Sequence, residues 1–289
     1  MGGALCILAG VAYGSVGIFG KLALDEGLSV PAMLSARFAL AALILWGITA
    51  ALGPAVRPTA RDVRRAVALG LVVYGAQAGF YFWSLTRLDA AFTILLVQVA
   101  PVLVAVGAVA FGRERLSRAL LVSLPIALIG TALVASGASV GSADALGVVL
   151  ALLCAVAYAA YMLLSHAVVA TVHPVPLSAA VCTGSALAFG GWAIVRGELP
   201  HTGAAGWGLI VALALIGTVV AITALAAGNA RVGPSTAVLL ETVEPLTATI
   251  LAYIVLGERL QPLQWVGAAL VVVAVVVVSG GLGRRHRSG

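Results

Sequence analysis

Short polar breaks divide the chain into apolar runs, each long enough, at about twenty residues, to cross the hydrocarbon core of a bilayer as an α-helix. Of the 289 residues, 62% are hydrophobic and only 9% are charged, whereas soluble domains carry about 25% charged residues. This composition excludes a soluble globular protein. The runs predict an all-α integral membrane protein with ten transmembrane helices, near residues 4–22, 31–52, 66–84, 90–111, 119–137, 146–164, 176–195, 207–227, 233–256 and 263–281.

The first run is expected to be a transmembrane helix, because no basic segment precedes it and a second run follows at once. Lys and Arg are distributed unevenly over the two sides that the spans define. With the N-terminus in the cytoplasm, eleven of the sixteen Lys and Arg residues lie on that side, four lie on the far side, and Arg37 lies within the membrane. Because cytoplasmic loops retain positive charge, both termini of this multi-pass inner-membrane protein are predicted to be cytoplasmic. Basic loops beside anionic lipid also explain the net charge of +6 without nucleic acid.

The chain carries an internal repeat at an offset of 144 residues. The shift places Arg87 on Arg231, Pro101 on Pro245, and Glu114-Arg115-Leu116 on Glu258-Arg259-Leu260. We assign the first repeat to residues 1–140 and the second to 141–289, which ends in a short basic tail. Because each repeat has five spans, an odd number, the second is expected to be inverted. Inverted repeats are typical of secondary transporters, whose substrate site lies between the repeats near the midplane.

Two segments resemble a known family. They run from Leu88 through Val99-Ala-Pro101 to Gly112-Arg-Glu114-Arg-Leu116, and from Val232 through Glu244-Pro245 to Gly257-Glu258-Arg259-Leu260. Together with Lys21 and Ser35-Ala-Arg37-Phe38, they are similar to the EamA repeat of the drug/metabolite transporter superfamily. The second half departs from the pattern, since Ser165 and Cys182-Thr183 stand where Lys21 and Arg37 would recur. The resemblance implies a bacterial exporter of amino acids, related metabolites or organic cations.

Two acidic residues lie deep in the ninth span. Glu244 is at its midpoint, and Glu241 lies one turn earlier, on the same face as Glu244 and Pro245. Desolvation and mutual repulsion favour the protonated form of at least one carboxyl group, and such a group can carry a proton. Both are therefore candidates for proton coupling and for the cavity lining. The alternative is a structural Glu-Pro break whose carboxyl group pairs with a neighbouring helix.

Arg37 lies two turns into the second span from the outer side, deeper than a simple headgroup anchor but within reach of a side chain that extends outward to the interface. A guanidinium at this depth suits a substrate carboxylate. It is equally consistent with a buried partner for Glu241 or Glu244. Lys21 lies nearer the end of its helix, where a side chain that extends to the interface is expected.

Tyr74, Gln77 and Tyr81 recur at helical spacing in the third span. Tyr158 and Tyr161 form a similar stripe in the sixth span, and Gln98 adds an amide in the fourth. These residues are candidates for the lining of a central cavity, bounded by helices one, three, four, six, eight and nine. Aromatic residues near helix ends are just as often interface anchors.

Pro101 and Pro245 lie at the centres of the fourth and ninth spans. A proline there lacks a backbone donor and permits bending, which suits the flexing point of alternating access. A tolerated kink without a mechanical role is the alternative.

No metalloprotease, Cys-x-x-Cys, phosphate-binding-loop or nucleophile-elbow motif occurs in the sequence. We therefore expect neither an enzyme nor a metal or cofactor site. The sequence predicts a secondary transporter, a monomer or weak homodimer, that exports small metabolites, in particular amino acids, by alternating access. Export of organic cations, drugs or nucleotide-type metabolites is an alternative. From other classes, a lipid scramblase or a non-transporting membrane scaffold stays open.

Overall fold

The computed structural model describes residues 1–112, 117–135, 144–169, 172–256 and 261–285. Every regular element in these ranges is helical. The α-helices are α1 Gly2–Gly14, α2 Val16–Asp25, α3 Val30–Ala51, α4 Ala60–Leu69, α5 Gly75–Leu85, α6 Ala90–Val97, α7 Ala100–Ala110, α8 Arg118–Val134, α9 Ala145–Val169, α10 Pro174–Arg196, α11 Ala204–Ala214, α12 Ala221–Val232, α13 Pro234–Leu240, α14 Glu244–Leu256 and α15 Pro262–Arg285. The Glu-Arg-Leu echoes at 114–116 and 258–260, and the predicted repeat boundary at 140/141, lie outside the described residues.

Several of these helices join end to end into longer apolar rods. Within the described ranges, eight rods are long and apolar enough to cross a membrane: Gly2–Asp25, Val30–Ala51, Ala60–Leu85, Phe92–Ala110, Ala145–Val168, Pro174–Arg196, Ala204–Val232 and Pro262–Ser279. The two other predicted spans correspond to α8, which has 17 residues, and to α13 with α14, which a 3₁₀ turn at Glu241–Val243 separates. The protein is thus an all-helical, multi-pass membrane protein.

Helix starts follow local capping rules. The Ser29 hydroxyl accepts the Ala32 N–H at 3.3 Å at the start of α3, and Ser117 accepts the Leu120 N–H at 3.1 Å at the start of α8. Each bond satisfies a backbone donor that the first turn leaves free. Gly197 ends α10 in the left-handed conformation, at φ 68°, which glycine adopts without steric cost. The polar breaks in the sequence therefore coincide with real helix ends.

Irregular turns occur at matching places in the two halves. π-helical segments lie at Gly70–Tyr74 and Leu215–Val220, which begin 145 residues apart, within one residue of the repeat offset. The helix also breaks at Gln98, between α6 and α7, and at Glu241–Val243, between α13 and α14. These irregularities recur at the offset of the sequence repeat.

The two prolines each follow a helix break midway through a predicted span. Pro101 is in the first turn of α7, and Pro245 is in the first turn of α14. A proline in a first turn costs no intrahelical hydrogen bond, because that N–H has no partner there. Neither proline therefore removes a hydrogen bond from its helix, and both lie directly after a break near the middle of a predicted span. A role for them as hinges stays a prediction.

Glycines permit close contacts between helices. A Cβ atom at Gly10 would lie 2.9 Å from the Glu241 carbonyl oxygen, and one at Gly14 would lie 2.6 Å from Thr247 Cβ. The first helix therefore packs directly on the segment that carries Glu241 and Glu244. Because the approach leaves no room for a side chain, we expect that a larger residue at either position would displace both carboxyl groups.

One ion pair joins two exposed helix ends. Arg87 Nη1 donates to Asp144 Oδ2 at 2.9 Å, and Asp144 Oδ1 accepts the backbone N–H groups of Leu146 and Gly147 at the start of α9. The Arg87 guanidinium, aided by these N–H groups, holds the pKa of Asp144 below its ordinary value. Because the folded-state pKa is lowered, the stabilisation is present above the unfolded-state pKa and is lost as pH falls through the folded-state pKa.

We therefore expect Asp144→Asn, which retains capping ability, to lower the thermal unfolding temperature slightly at pH 7. The difference from the unsubstituted protein should shrink as pH falls below the ordinary range of an aspartate. Glu198→Gln, in the exposed pair that Glu198 forms with Arg196 at 3.3 Å, is the matched control. An Asp144→Asn difference that is equally large at low pH would contradict an ionic origin.

Candidate functional site

A polar cavity lies among the helices. Its lining consists of Tyr13, Val16, Arg37, Tyr74, Gln77, Ala78, Tyr81, Phe82, Val97, Tyr158 and Glu244. Six of the residues singled out in the sequence are brought together here: Arg37, Tyr74, Gln77, Tyr81, Tyr158 and Glu244. The lining surrounds about 570 Å³ of space not filled by atoms, part of it open to the outside, and the centre of a water-sized sphere reaches about 60 Å³ of it. The cavity suits a small solute.

Arg37 is held in the cavity wall by the π-helical segment Leu215–Val220. Its Nε donates to Thr218 Oγ1 at 2.6 Å, and its Nη2 donates to the Gly217 carbonyl at 2.8 Å. The wide turn of a π-helix alters the backbone pairing, so a carbonyl becomes available to a side chain. Arg37 is only 3% exposed, yet none of the described hydrogen bonds uses Nη1. The guanidinium is thus anchored on one edge and retains donors for a bound solute.

Arg37 does not pair with either buried carboxyl group. Its only polar partners among the described residues are Thr218 and Gly217, and the rings of Phe38 and Phe82 lie 5.2 and 5.8 Å from its Cζ atom. The alternative that Arg37 is a buried partner for Glu241 or Glu244 is therefore wrong. Arg37 comes from α3, the second predicted span, which the sequence does not predict to line the cavity. The eighth predicted span, which it does predict to line the cavity, holds Arg37 through Thr218 and Gly217.

Glu244 contributes a carboxyl group to the same cavity. It begins α14, directly after the 3₁₀ turn, which turns it toward the cavity. Tyr81 lies close enough to interact electrostatically with both Glu244 and Arg37. The cavity therefore presents a cation and a carboxyl group at separate places, with a phenol between them.

Glu241 lies beside the cavity rather than in its lining. It is 4% exposed, Tyr158 donates a hydrogen bond to its Oε2, and its Oε1 has no hydrogen-bond partner among the described residues. Tyr158 itself lines the cavity. The Tyr158 hydroxyl thus connects the cavity to a buried carboxyl group behind it.

The sequence of the chain matches a known family of proteins. The model of the EamA-like transporter family matches residues 1–136 and 145–280, which together cover most of the chain. The chain belongs to the EamA-like transporter family. The two matched segments begin 144 residues apart, at the offset of the internal repeat. The family is one of membrane transporters, and this match agrees with the resemblance to the drug/metabolite transporter superfamily.

Relatives support the family and the fold. The chain is 30% identical over 195 residues to an uncharacterized transporter of Bacillus subtilis (strain 168), YwfM, and the match covers 65% of this chain and 63% of that protein. A solved crystal structure superposes with a TM-score of 0.78 over 98% of each chain, at 20% identity. At that identity the likeness shows the shared fold and nothing more.

Besides Glu241, two more candidate side chains lie outside the lining of the EamA-like cavity. Gln98 ends α6, is 8% exposed, and its Nε2 has no described partner. Tyr161 is buried behind the wall and packs its ring on Tyr74, with centroids 4.8 Å apart. Neither side chain is part of the lining, although Val97 and Tyr158, on the same helices, are.

Sequence reasoning missed Tyr13, whose hydroxyl lies 3.4 Å from that of Tyr74. The available signal was a tyrosine in the apolar part of the first span, between Gly10 and Gly14. It also missed Thr218 and Gly217, because a π-helical turn leaves no mark in the hydrophobic pattern. No group of three or more metal-ligating side chains occurs among the residues that the structure describes.

Proposed function

We propose that this EamA-like protein is a secondary transporter with ten spans in two inverted five-helix repeats. The recurrence of a π-helical segment and a helix break at the repeat offset supports the repeat. The excess of Lys and Arg on one side supports cytoplasmic termini and an inner-membrane location. Transport is proposed to occur by alternating access between the repeats, with Pro101 and Pro245, beside the helix breaks, as the hinges.

The proposed substrates are amino acids or similar small zwitterions, moved out of the cell. One observation carries this choice: Arg37 and Glu244 line one cavity without pairing with each other. A buried charge is costly unless it is paired. A solute with a carboxylate at Arg37 and an ammonium group at Glu244 supplies both missing partners.

Organic cations are the second candidate. The tyrosine-rich lining and Glu244 suit a cation, because ring faces attract positive charge. A bound cation, however, leaves the buried Arg37 without a counter-charge. A nucleotide-type solute is less favoured, since Arg37 is the only Lys or Arg in the described cavity lining.

Proton coupling is proposed through Glu244 and Glu241. Glu244 contacts the cavity, and Glu241 is linked to it through Tyr158. A carboxyl group that is exposed to each side in turn can exchange a proton for the substrate. Facilitated diffusion without protons is the simpler alternative.

Counterflow into proteoliposomes tests the substrate class. We expect saturable exchange with an unmodified amino acid. We expect its N-acetyl derivative and its amide to compete at least tenfold more weakly, because each lacks one charge and a hydrogen bond to a charged group contributes about 1.5–3 kcal/mol. The panel should span aliphatic, aromatic and polar side chains, with organic cations and nucleosides beside them.

Each of the other outcomes of this experiment would indicate a different function. Equal competition by the amide and the unmodified amino acid would favour organic cations and contradict the role of Arg37. Absence of exchange for every solute, combined with rapid movement of labelled lipid between leaflets of the same vesicles, would indicate a scramblase. Absence of both activities would leave the scaffold alternative.

A further inference from the structure

A second cleft, distinct from the polar cavity, opens on the outer surface of the helices. Its walls come from α1, α3, α10 and the rod Ala204–Val232, and include Leu5, Leu45, Ile48, Val175, Val219 and Ala227. Leu45 is buried at its base, whereas Ile48 is 39% exposed at its rim. Almost all of its lining is apolar. The cleft is thus an apolar groove that is open along its length.

The groove runs from one membrane surface toward the midplane. Ala227 and Val175 lie near helix ends, one turn or less from Arg231 and His173, whereas Val219 lies deeper. Eight residues of helix rise about 12 Å, and one leaflet of hydrocarbon is about 15 Å deep. The groove therefore spans most of one leaflet, which is the reach of a lipid acyl chain.

One cationic side chain and further hydrogen-bond donors lie near the shallow end of the groove. The exposed Arg231 side chain donates to the carbonyl of Ala227, a residue of the groove lining, and no acidic residue in the described ranges pairs with it. Its repeat mate, Arg87, is paired with Asp144 at the opposite side. His173 precedes α10 and accepts the Val175 N–H through Nδ1, which leaves an N–H on Nε2. The N-terminal end of α10 adds partial positive charge.

From this geometry we infer that the groove is a binding site for an anionic phospholipid, with one acyl chain between α3 and the Ala204–Val232 rod and the headgroup phosphate at Arg231 and His173. The Thr223 hydroxyl lies in the groove wall one turn below Ala227, and it has no hydrogen-bond partner among the described residues. That depth suits an ester carbonyl of the lipid. The inference does not depend on the substrate of the central cavity.

The site is connected to the cavity by the π-helical segment. Val219 and Val220 line the groove, while Gly217 and Thr218, in the same segment, hold Arg37. A chain that lies against these valines therefore supports the turn that positions the cavity's guanidinium. We therefore expect a lipid bound in the groove to stabilise the folded protein.

Native mass spectrometry of the detergent-purified full chain tests the site with two lipids of matched chains, a phosphatidylglycerol and a phosphatidylcholine. We expect one phosphatidylglycerol to be retained in preference. Arg231→Gln should weaken it about fivefold, the effect of one surface cation on an anionic lipid. Ala227→Phe, which fills the groove, should weaken both lipids at least tenfold. Arg61→Gln, an exposed cation in α4, and Val211→Phe, an exposed residue in α11, are the matched controls.

Several results would overturn the inference. The first is equal retention of the two lipids by the unsubstituted protein. The second is an effect of Arg231→Gln on lipid retention that is no larger than the effect of Arg61→Gln. The third is competition by glycerol phosphate that is as effective as competition by the intact lipid. A protein dimer that Ala227→Phe dissociates would instead assign the groove to a second copy of the chain. If Ala227→Phe does not fold, the Arg231→Gln comparison and the headgroup competition decide the question.

Discussion

Arg37→Gln is expected to reduce transport of carboxylate-bearing substrates by about tenfold to hundredfold in kcat/KM, because a hydrogen bond to a charged group contributes about 1.5–3 kcal/mol. Arg37 is the one cation in the described lining of the cavity, and its Nη1 is not used by the described protein contacts. The loss should be smaller for an analogue that lacks the carboxylate. This difference between substrates separates a binding role from a general loss of activity.

The support of Arg37 by the π-helical segment makes a second, graded prediction possible. Thr218→Val removes the acceptor of the Nε–H at 2.6 Å but keeps the charge, so we expect a partial loss in the same direction. Arg37→Lys keeps the charge but cannot reach both Thr218 and the Gly217 carbonyl, and it should also be intermediate. Uptake rates for a zwitterion and for its amide, measured in proteoliposomes, give the required ratio.

Stability must be measured beside transport, because Arg37→Gln leaves the buried Gly217 carbonyl without its described side-chain partner at a cost of about 1–3 kcal/mol. Thermal unfolding in detergent reports this cost. Arg196→Gln, an exposed cation at the end of α10, is the control for a change of net charge alone. A folded Arg37→Gln protein with an unchanged KM for the zwitterion would refute the carboxylate role of Arg37.

How much the sequence can predict is clear from the residues that form the cavity. Hydrophobic runs and charged breaks located the helices, since the length needed to cross a bilayer imposes a strong pattern. Helical spacing placed Tyr74, Gln77 and Tyr81 on one face, and that face lines the cavity. Depth alone identified Arg37 and Glu244, because an ionisable group in hydrocarbon is rarely there without a function.

The missed features depend on contacts between helices that are distant in sequence. The partners of Arg37 are about 180 residues away in the chain, in a turn whose π-helical geometry has no periodic signature. Likewise, the 3₁₀ turn at Glu241–Val243 changes the direction of the side chains that follow it. A continuous helix would give Glu241 and Glu244 a common face, whereas in the structure only Glu244 lines the cavity.

The separation of the two carboxyl groups predicts separate roles in transport. We expect Glu241→Gln to abolish accumulation driven by a pH gradient while substrate exchange at uniform pH is largely retained. The glutamine is nearly isosteric, and its amide oxygen can still accept the Tyr158 hydroxyl, so the wall of the cavity should be preserved. It cannot bind or release the proton.

The accumulation assay has a thermodynamic limit that makes the result quantitative. A gradient of one pH unit is worth about 1.4 kcal/mol per proton. If one proton is exchanged for one solute molecule without net charge, and the membrane potential is clamped to zero, the solute can accumulate at most about tenfold. The accumulation is on the acidic side of the membrane. The unsubstituted protein should approach this ratio, whereas Glu241→Gln should stop at a ratio of one. Glu244→Gln is expected to lose exchange as well, because Glu244 contacts the cavity directly.

Tyr158→Phe tests whether the two carboxyl groups act through the Tyr158 hydroxyl. The substitution keeps the ring but removes the hydrogen bond to Glu241, the only described connection between that carboxyl group and the cavity lining. If a proton reaches Glu241 by this route, Tyr158→Phe should slow gradient-driven accumulation more than exchange, as Glu241→Gln does. Tyr161→Phe, a buried tyrosine one helical turn away that does not line the cavity, is the matched control and should affect neither. If the pH gradient does not change the distribution of the solute in the unsubstituted protein, the mechanism is facilitated diffusion. Glu241 and Tyr158 are then structural parts of the cavity wall.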